Sequence, residues 1–509
     1  MPAVTSASLN VYSGPDALVD FYDPDKCPPV PLVEVPKHPW RDQGVRIYAK
    51  LMSSLPAANV KSLPALNMLL RARESGEITP ETDTIIEYSS GSTVISLGIL
   101  ANIMGIETVK AYLSNKTSPS KLDLLRFFGL DITLFAGHGQ PEPLDPNGGI
   151  YAATKDGQAP GAYNPDQYSN PNNWESHVRW TAPQILKQLP DVKVFATSIG
   201  TSGTVTGCGL TLKKEKPDIT RVGVCTSPND RIPGPRMYSL LEPVTWFPWR
   251  EAIDTMVEVS SPEAYEYSLY LCRSGLLVGP SSGMAMLGLF KFFERTMQEK
   301  GTLDHLRNED GEIPCVFICC DGPFQYISEY YDKLPESHFR PIRNSELLGV
   351  DSYAYNLDWE LTPAEAHSIL FRPRGPSKAS PRAPNDRGKM DFDPASEVVV
   401  LDLRAEEDHA HMRLPNSFNL PIGHTRNPYA HPPTMVELFQ KIDSSIGLGA
   451  TNDLVAKLDG KVVFTFGYDG HVSRLAMSVL RNRGLEVYCV MGGVEEWERM
   501  RLAPFGVRN

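Results

Sequence analysis

One lysine stands where the chain turns from a strand into a helix, a position that suits covalent chemistry. In RIYAKLMSSLPAANVKSLPALNMLLRARESG, an apolar strand is followed by a loop bearing Lys61 and then by an amphipathic helix. A lysine amine forms a Schiff base with a carbonyl compound when its surroundings lower its pKa. Lys61 is therefore a candidate nucleophile, although a solvated surface group is the common alternative for any single lysine.

A run of small hydroxyl residues follows the next apolar strand. Within IIEYSSGSTVISLGILANIMGI, the strand ends at Tyr88 and a polar loop leads into a helix. Hydroxyls and free amides at a helix N-terminus suit an anionic group such as a carboxylate, and a plain helix cap is the alternative. The candidate residues of this loop are Ser89, Ser90, Gly91, Ser92 and Thr93.

Two further loops combine glycine with small hydroxyl residues between a strand and a helix. In VFATSIGTSGTVTGCGL, the backbone amides of the turn can converge on a phosphate. No G-K-[ST] follows, so this turn is not a P-loop. In GLLVGPSSGMAMLGLFKFF, a predicted strand leads through a glycine-rich turn bearing Ser281 into a helix. The candidate phosphate-binding residues are Gly200, Thr201, Ser202, Gly203 and Thr204.

Alternating strands and helices must hold these four loops in place. From about residue 40 to 335, the apolar runs TIIEY, TVKAYL, ITLF, VKVFATS, RVGVC and CVFICC alternate with amphipathic stretches. This alternation predicts βαβ units around an open parallel sheet, and hence an α/β fold class. Ligands of such sheets bind at the carboxyl ends of the strands, where loops lead into helices. We expect all four loops at that edge.

Taken together in this order, the four loops resemble the fold-type II pyridoxal-phosphate (PLP) enzymes, specifically the cysteine synthase and cystathionine β-synthase family. The resemblance covers about residues 30 to 335 and includes PLVEVP, NVKSLPA, YNPDQYSNPNNWESHVRWTAPQI, LLVGPSSG and a closing DGPFQYISEYYDKL. It implies a catalytic domain of two open parallel-sheet subdomains, PLP as the cofactor and a homodimer.

The resemblance also implies a role for each loop. Lys61 would hold PLP and later move the α-proton of the substrate, and the glycine-rich loop would bind the cofactor phosphate. The hydroxyl loop would clamp the substrate α-carboxylate, with Gln167 helping from the opposite side. Ser281 would face the pyridine nitrogen. Because a serine is too weak an acid to keep that nitrogen protonated, rapid β-elimination is favoured over long-lived carbanions.

The expected reaction is β-replacement on an O-activated L-serine, either O-acetyl-L-serine or O-phospho-L-serine, through an aminoacrylate intermediate. Sulfide, giving cysteine, is the nucleophile that the resemblance implies. Homocysteine and an amino-acid amine are open alternatives. So are a β-eliminating lyase that releases pyruvate and ammonia, and a catalytically silent scaffold.

The sequence departs from the family pattern around the substrate rather than around the cofactor. The family loop T-S-G-N-T-G reads SSGSTV, so Ser92 replaces the asparagine that meets the phenolic oxygen of the cofactor. Ser202 replaces a glycine of the phosphate loop. PGPRMYSLLEPVTWFPWR replaces a glycine-containing segment at the mouth of the site and introduces Arg236. We expect Arg236 to meet an anion, either the leaving phosphate of O-phosphoserine or a carboxylate of the second substrate. An exposed or structural arginine is the alternative.

After a linker rich in proline and basic residues (372–389), the chain resembles a rhodanese domain. EVVVLDLRAEEDHAHMRLPNSFNLPIG carries an opening strand with Asp402 and Arg404 at its end, and VYCVMGGVEEWERM carries the closing strand and helix. The rhodanese loop C-x-x-G-x-R-S reads GYDGHVS, so Gly467 stands in the place of the catalytic cysteine and Val472 in that of the arginine. Sulfur transfer needs a thiolate. We therefore expect a non-catalytic packing, dimerisation or regulatory domain.

Length and composition set the remaining expectations. The 509 residues are predicted to divide into a PLP-dependent domain at 1–335, a connecting segment at 336–394 and a rhodanese-like domain at 395–509. The net charge of −12 disfavours nucleic acid as a partner, and small-molecule amino acids are the expected substrates. Without a long apolar run or a signal peptide, no membrane association is expected. Eight scattered cysteines predict reduced thiols in a cytoplasmic enzyme without a metal site.

Overall fold

The computed structural model describes residues 10–89, 91–137, 142–244, 246–352, 354–371, 396–423 and 431–502. Ser90 and the predicted linker at 372–389 lie outside these described residues. The chain divides into two compact units, Met1–Phe339 and Arg340–Asn509.

The strands described in the first unit form a larger and a smaller sheet. They are β1 (Leu32–Glu34), β2 (Val45–Leu51), β3 (Thr84–Tyr88), β4 (Thr108–Ser114), β5 (Asp131–Phe135), β6 (Ala162–Tyr163), β7 (Val194–Ser198), β8 (Thr220–Thr226), β9 (Thr255–Val259) and β10 (Ile313–Cys319). The larger sheet has the order β1-β2-β10-β7-β8-β9, in which β1 is antiparallel to β2 and the other neighbours are parallel. The smaller sheet has the parallel order β5-β4-β3-β6. Every residue of β7 and β10 is buried, as expected of parallel strands covered on both faces.

The helices of the first unit mostly follow the strands that they connect. They are α1 (Ala17–Tyr22), α2 (Ser62–Ser75), α3 (Ser92–Ile103), α4 (Pro119–Phe127), α5 (Gly149–Asp156), α6 (Asn172–Ser176), α7 (Ala182–Gln188), α8 (Gly203–Glu215), α9 (Ser261–Arg273), α10 (Pro280–Lys300) and α11 (Ile327–Lys333). The long helix α10 begins with a proline in its first turn and ends at Gly301, whose φ of 70° breaks the helix. One turn of π-helix, His177–Thr181, joins α6 to α7.

The six strands predicted from the apolar runs are all present, as β3, β4, β5, β7, β8 and β10. One further predicted strand is wrong, because the residues before Gly279 form none. The carbonyl of Val278 instead accepts hydrogen bonds from the side chains of Ser268 and Cys272, and the Gly279 amide donates to the Asp321 carbonyl. The backbone of this segment is thus bonded to helix α9 and to the loop after β10.

The second unit contains one parallel sheet in its described part. Its strands are β11 (Glu360–Leu361), β12 (Val398–Asp402), β13 (Ser417–Asn419), β14 (Val462–Phe466) and β15 (Glu486–Val490), in the order β11-β15-β14-β12-β13. Its helices are α12 (Pro363–Leu370), α13 (Glu406–His411), α14 (Pro432–Ile446), α15 (Asp453–Leu458), α16 (His471–Asn482) and α17 (Gly493–Arg499). β11 and α12 fall within the segment at 336–394 that was predicted to connect the two domains, and both lie in the second unit.

Both units have the α/β character that the sequence predicted. Among the described residues, no helix combines the length and the apolar character that crossing a membrane requires.

Candidate active site

A cavity in the first unit brings the predicted loops together. It lies where β2, β3, β7 and β10 end, at the edge of the sheets that the sequence predicted. The predicted site residues that line it are Lys61, Ser89, Gly91, Ser92, Thr93, Gln167, Gly200, Thr201, Thr204, Arg236 and Ser281. Ser202 and Gly203 belong to the same loop as Thr201 but are not among the residues that line the cavity. Ser90 lies outside the described residues.

Lys61 presents its amine inside this cavity. It is the residue before α2, at the end of the loop that leads from β2, and its Nζ donates a hydrogen bond of 3.2 Å to Thr201 Oγ1. Burial, with a smaller contribution from the Arg236 charge, lowers the pKa of Lys61 to about 8. Near neutral pH a larger fraction of this amine is unprotonated than in an ordinary lysine, and the unprotonated form is the one that attacks carbonyl carbon.

The glycine-rich loop between β7 and α8 is shaped by close contacts with its surroundings. A side-chain carbon on Gly200 would lie 2.8 Å from the backbone oxygen of Gly234, and one on Gly203 would overlap Asn173 Oδ1. Ser202 caps α8 with a φ of 65°, a conformation in which a glycine would be less strained. The loop therefore brings backbone amides to a helix N-terminus, where an anion is favoured.

The hydroxyl loop after β3 is tied to Gln167 from across the cavity. Thr93 Oγ1 donates to Gln167 Oε1 at 2.8 Å, and Gln167 Nε2 donates to the Tyr88 carbonyl at 3.0 Å. The Gly91 amide donates to Ser89 Oγ at 3.4 Å, just before α3 begins. This arrangement gathers small donors at the N-terminus of α3, which suits the carboxylate that the sequence predicted there.

Ser281 lies in the first turn of α10 and faces the end of β10. Cys320 and Asp321, which follow β10, also line the cavity. Asp321 accepts hydrogen bonds from Tyr326 and Gln325 at 2.6 and 2.8 Å, and burial raises its pKa to about 6. Ser281 was predicted from the sequence as a site residue, whereas Cys320 and Asp321 were not.

Arg236 is buried in the cavity wall rather than exposed. Only 7% of it is accessible, and its backbone amide donates to the Ile199 carbonyl beside the glycine-rich loop. Its guanidinium carbon lies 5.6 Å from the centre of the Tyr168 ring. Among the described residues, no hydrogen-bond acceptor lies within reach of its buried Nη1. Burial lowers the pKa of Arg236, yet a guanidinium remains charged in proteins. The cavity thus holds a desolvated cation with an unused donor.

Several further residues of this site were not found from the sequence. Lys121 of α4 and Arg231 line the cavity, and Asn173 and His177 lie behind the glycine-rich loop. The motif NPNNWESH, which contains the last two, was part of the resemblance, but only Gln167 was singled out near it. A polar segment rich in asparagine within an otherwise apolar fold was the signal that could have identified them.

A loop in the second unit has a related backbone plan. It leads from β14 through Gly467 and Asp469 to α16, and Gly470 before the helix has a φ of 88°. A side-chain carbon on Gly467 would lie 2.8 Å from Ser473 Oγ, a buried oxygen with no hydrogen-bond partner among the described residues. Asp469 Oδ1 accepts a hydrogen bond from the His471 amide at 3.0 Å. This loop carries no thiol.

Asp402 and Arg404, at the end of the opening strand, form an ion pair in this unit. Arg404 Nη2 lies 2.7 Å from Asp402 Oδ2, and both side chains are buried. Tyr468 accepts a hydrogen bond from the Ala405 amide at 3.1 Å and donates one to Asp408. These contacts attach the loop after β14 to α13. Cys489, on β15, is fully buried.

The residues of the cavity in the first unit fit PLP. Lys61 offers an amine for the aldehyde, and the loop Gly200–Thr204 offers amides and hydroxyls for the phosphate. The absence of side chains at Gly200 and Gly203 lets that loop pack closely against Gly234 and Asn173. Ser281 offers a hydroxyl on the opposite side of the cavity.

The fold and this site define a PLP-dependent enzyme, and comparison with known proteins agrees. Residues 26–303 match the pyridoxal-phosphate dependent enzyme family, which is more than half of the chain. The chain therefore belongs to that family, and PLP is its cofactor. Residues 389–500 match the rhodanese-like domain.

Curated relatives of the first unit are cysteine synthases. The cysteine synthase of Staphylococcus aureus is 31% identical over 255 residues, which are 48% of this chain and 80% of that protein. Cysteine synthase B of Pseudomonas aeruginosa is 30% identical over 303 residues, which are 58% of this chain and 93% of that protein. The predicted resemblance to PLP enzymes of the cysteine synthase type is thus confirmed.

Solved structures agree with the fold of the first unit. A hydrogen sulfide-producing enzyme of Fusobacterium nucleatum superposes with a TM-score of 0.50 at 24% identity, covering 58% of this chain and 94% of that one. An O-ureido-L-serine synthase superposes with a TM-score of 0.50 at 24% identity, covering 60% of this chain and 93% of that one. The predicted fold-type II architecture is confirmed.

Proposed function

We propose that the first unit catalyses β-replacement on an O-activated L-serine, with sulfide as the nucleophile and cysteine as the product. The observation that carries this proposal is the convergence of an amine, a phosphate-binding loop and a carboxylate-binding loop on one cavity. The cysteine synthases among the relatives support cysteine as the product.

The proposed roles follow from the positions of the side chains. When bound, PLP stabilises negative charge at the α-carbon of the substrate and so makes the α-proton removable. Lys61 Nζ, as the free amine, takes that proton, for which its lowered pKa of about 8 is suitable. The Ser89 hydroxyl and the backbone amides at the start of α3 donate to the α-carboxylate, and Thr93 gives its hydroxyl proton to Gln167, which holds that side chain in place.

Arg236 makes a phosphate ester the preferred first substrate. The Tyr168 hydroxyl hydrogen-bonds to the Arg236 guanidinium, but the buried Nη1 has no acceptor among the described residues, and a buried N–H without an acceptor is costly. A dianionic leaving group would supply the missing acceptor through a charge-assisted hydrogen bond to the Arg236 guanidinium. The neutral carbonyl of an acetate ester gains less, so O-phospho-L-serine is preferred over O-acetyl-L-serine.

An amino acid that attacks through its amine is the second candidate nucleophile. Homocysteine, which would attack through its thiol, is a related candidate that also carries a carboxylate. Lys121 and Arg231 also line the cavity, and each offers a cation to a carboxylate that sulfide does not have. Water as the final acceptor would instead give a lyase that releases pyruvate and ammonia.

The visible absorption spectrum of the purified holoenzyme tests the proposal in two steps. First, O-phospho-L-serine and O-acetyl-L-serine are added separately without any nucleophile, and the phosphate ester is expected to change the cofactor band at the lower concentration. Sulfide, homocysteine and amino acids are then screened, and the nucleophile that restores the starting spectrum and yields one new amino acid is the substrate.

Each outcome of this experiment separates the alternatives. Restoration by sulfide with formation of cysteine supports the proposal, and restoration by an amino acid supports the second candidate. Release of pyruvate in the absence of a nucleophile would identify a lyase. A cofactor band that neither ester changes would remove β-replacement and leave a catalytically silent scaffold.

For the second unit, a non-catalytic packing, dimerisation or regulatory role is proposed. It is supported by the glycine at position 467 and by the carboxylate of Asp469 in the same loop. The homodimer, the cytoplasmic location and the domain boundaries at residues 335 and 395 stay predictions.

A further inference from the structure

A buried histidine stands directly behind the phosphate-binding loop of the first unit. His177 begins the π-helical turn between α6 and α7 and is completely inaccessible to solvent. Its two ring nitrogens each meet one threonine hydroxyl. Nδ1 lies 2.9 Å from Thr181 Oγ1, and Nε2 lies 3.2 Å from Thr204 Oγ1.

The ring is neutral in this position. Burial, with a smaller contribution from the charge of Lys61, lowers the pKa of His177 to about 3. A neutral imidazole donates from one nitrogen and accepts at the other, and its hydrogen-bond partners select the tautomer. Each hydroxyl has only one proton, so the direction of donation along Thr181, His177 and Thr204 is coupled.

The coupling allows two directions with opposite consequences for the cavity. With the ring proton on Nε2, His177 donates to Thr204 Oγ1 and leaves the Thr204 proton free to point elsewhere. With the ring proton on Nδ1, Thr204 must donate to His177, and an oxygen lone pair then faces the cavity. Because Thr204 lines the cavity, only the first direction offers a donor to an anion there.

We propose that His177 is a positioning residue for the cofactor phosphate. Protonated on Nε2, it donates to Thr204 Oγ1 and thereby directs the Thr204 hydroxyl proton to a phosphate oxygen of PLP. This proposal rests on PLP as the cofactor and does not depend on β-replacement. The His177 proposal can therefore fail while β-replacement holds, and β-replacement can fail while the His177 proposal holds.

A second contact shows that the same segment supports the rest of the loop. Asn173 Nδ2 donates to Thr201 Oγ1 at 3.3 Å and to the Gln167 carbonyl at 2.6 Å. Thr201 Oγ1 also accepts from Lys61 Nζ. Both hydroxyls of the loop that line the cavity are therefore held from behind by residues of the α6 region, one by an amide and one by an imidazole.

The first test measures PLP binding to the apoenzyme by titration, in a set of full-length variants. His177→Phe keeps a flat ring but removes both nitrogens, and we expect it to weaken PLP binding about 10- to 100-fold, the loss of one hydrogen bond to a charged group. His177→Gln offers an amide donor near the Nε2 position and is expected to recover most of the affinity. The 31P resonance of the bound phosphate should shift in the Phe variant and return in the Gln variant.

Thr204→Val is the matched partner in a double-mutant cycle. If His177 acts through the Thr204 hydroxyl, adding His177→Phe to Thr204→Val should cost no further affinity. If His177→Phe weakens PLP binding by the same factor with and without Thr204, the residue is merely structural and the proposal is overturned.

A measurement on the unchanged protein covers the case in which a variant does not fold. The nitrogen shifts of labelled histidine in the holoenzyme report the tautomer directly, and through-space contacts with Thr181 and Thr204 assign the His177 signal among the 11 histidines. A proton on Nε2 supports the proposal. A proton on Nδ1, or a doubly protonated ring, overturns it.

Discussion

The loop after β7 in the first unit and the loop after β14 in the second share a backbone plan but differ in chemistry. Both leave the carboxyl end of an interior strand of a parallel sheet. Both enter a helix through a residue with positive φ, Ser202 at 65° and Gly470 at 88°. Both therefore bring backbone amides to a helix N-terminus, which favours an anion. The first loop faces an amine, because Lys61 Nζ donates to Thr201 Oγ1, and no amine is bonded to the second loop in the part of the chain that the structure describes.

The difference lies in a few side chains rather than in the backbone. Around the first loop, hydroxyls and cations converge, and the buried His177 has a hydrogen-bond partner at each ring nitrogen. Around the second loop, Gly467 provides no nucleophile, and Ser473 Oγ faces the space of the missing side chain without a hydrogen-bond partner among the described residues. The backbone of each fold forms an anion-binding loop, and the side chains around that loop determine whether it catalyses a reaction.

The largest effect is expected from removing the amine of the first loop. Lys61→Ala should lower turnover at least about 1,000-fold, because the group that holds the cofactor and moves the α-proton is lost. The variant should also lose the absorption band of covalently held PLP. Steady-state rates and visible spectra measure both effects.

Lys155→Ala is the matched control for this change, because Lys155 is an exposed lysine near the end of α5. It should keep both the rate and the spectrum of the unchanged enzyme. If Lys61→Ala still turned over at a normal rate, the amine would not be the cause of the difference in catalytic activity between the two loops.

A smaller effect is expected from Arg236, which tests the charge beside the first loop. Arg236→Ala should raise the KM for O-phospho-L-serine about 10- to 100-fold, the worth of a charge-assisted hydrogen bond. The KM for O-acetyl-L-serine should change little. Arg236→Lys keeps the charge without the planar donor pair and should lie between the two. Equal changes for both esters would assign Arg236 to the packing of the loop.

Much of the first unit could be predicted from the sequence because its signals are local. The apolar runs give the buried strands, and the glycine and hydroxyl loops mark where those strands end. The predicted strand before Gly279 was wrong because an apolar run does not reveal the hydrogen-bond partners of its backbone. Here the Val278 carbonyl accepts from two side chains of α9, and the Gly279 amide donates to the loop after β10.

The rest of the site could not be predicted because it depends on distant pairs. His177 and Thr204 are separated by 27 positions in the chain, and Asn173 and Thr201 by 28. No spacing rule for helices or strands relates residues so far apart. Lys50 was missed for the same reason, since its three hydrogen-bond acceptors lie 20, 134 and 138 positions away.

Lys50 allows a test of whether burial alone is enough to deprotonate a lysine in the folded chain. Its Nζ donates to the Val30 carbonyl, Gln184 and Gln188 at 2.8, 2.8 and 2.7 Å, and the residue is completely inaccessible to solvent. Burial lowers the pKa of Lys50 from 10.5 to about 7. Between these pH values the unfolded chain binds more protons than the folded chain, so the free energy of unfolding rises with pH, by at most about 1.4 kcal/mol per unit.

Denaturant unfolding between about pH 7.5 and 9.5 measures this dependence on pH. Lys50→Met should show a smaller rise than the unchanged protein, and Lys155→Met should not differ from it. Equal slopes for all three proteins would mean that Lys50 stays protonated in the folded chain. The result shows whether burial alone is enough to lower the pKa of a lysine. Lys50 and Lys61 both have lowered pKa values, and of the two, Lys61 lines the cavity described above.

The smallest effect is expected where the second loop receives the thiol that it lacks. Gly467→Cys should fold, because the nearest atom to the new side chain is a serine hydroxyl that can rotate away. It should nevertheless show no thiosulfate sulfurtransferase activity. A persulfide needs a thiolate that positive surroundings stabilise, whereas Val472 is apolar and buried and Asp469 adds negative charge nearby.

Gly467→Cys/Asp469→Ala separates these two causes. If the carboxylate alone suppresses the thiolate, the double variant should react with a thiol reagent at lower pH than the single variant, because removing a nearby negative charge lowers a thiol pKa. If both remain unreactive below about pH 8, the missing arginine at position 472 is the stronger cause. Measurable sulfur transfer by Gly467→Cys itself would contradict this comparison. The backbone amides at the helix N-terminus would then be enough to stabilise the thiolate, and the second loop would lack only its nucleophile.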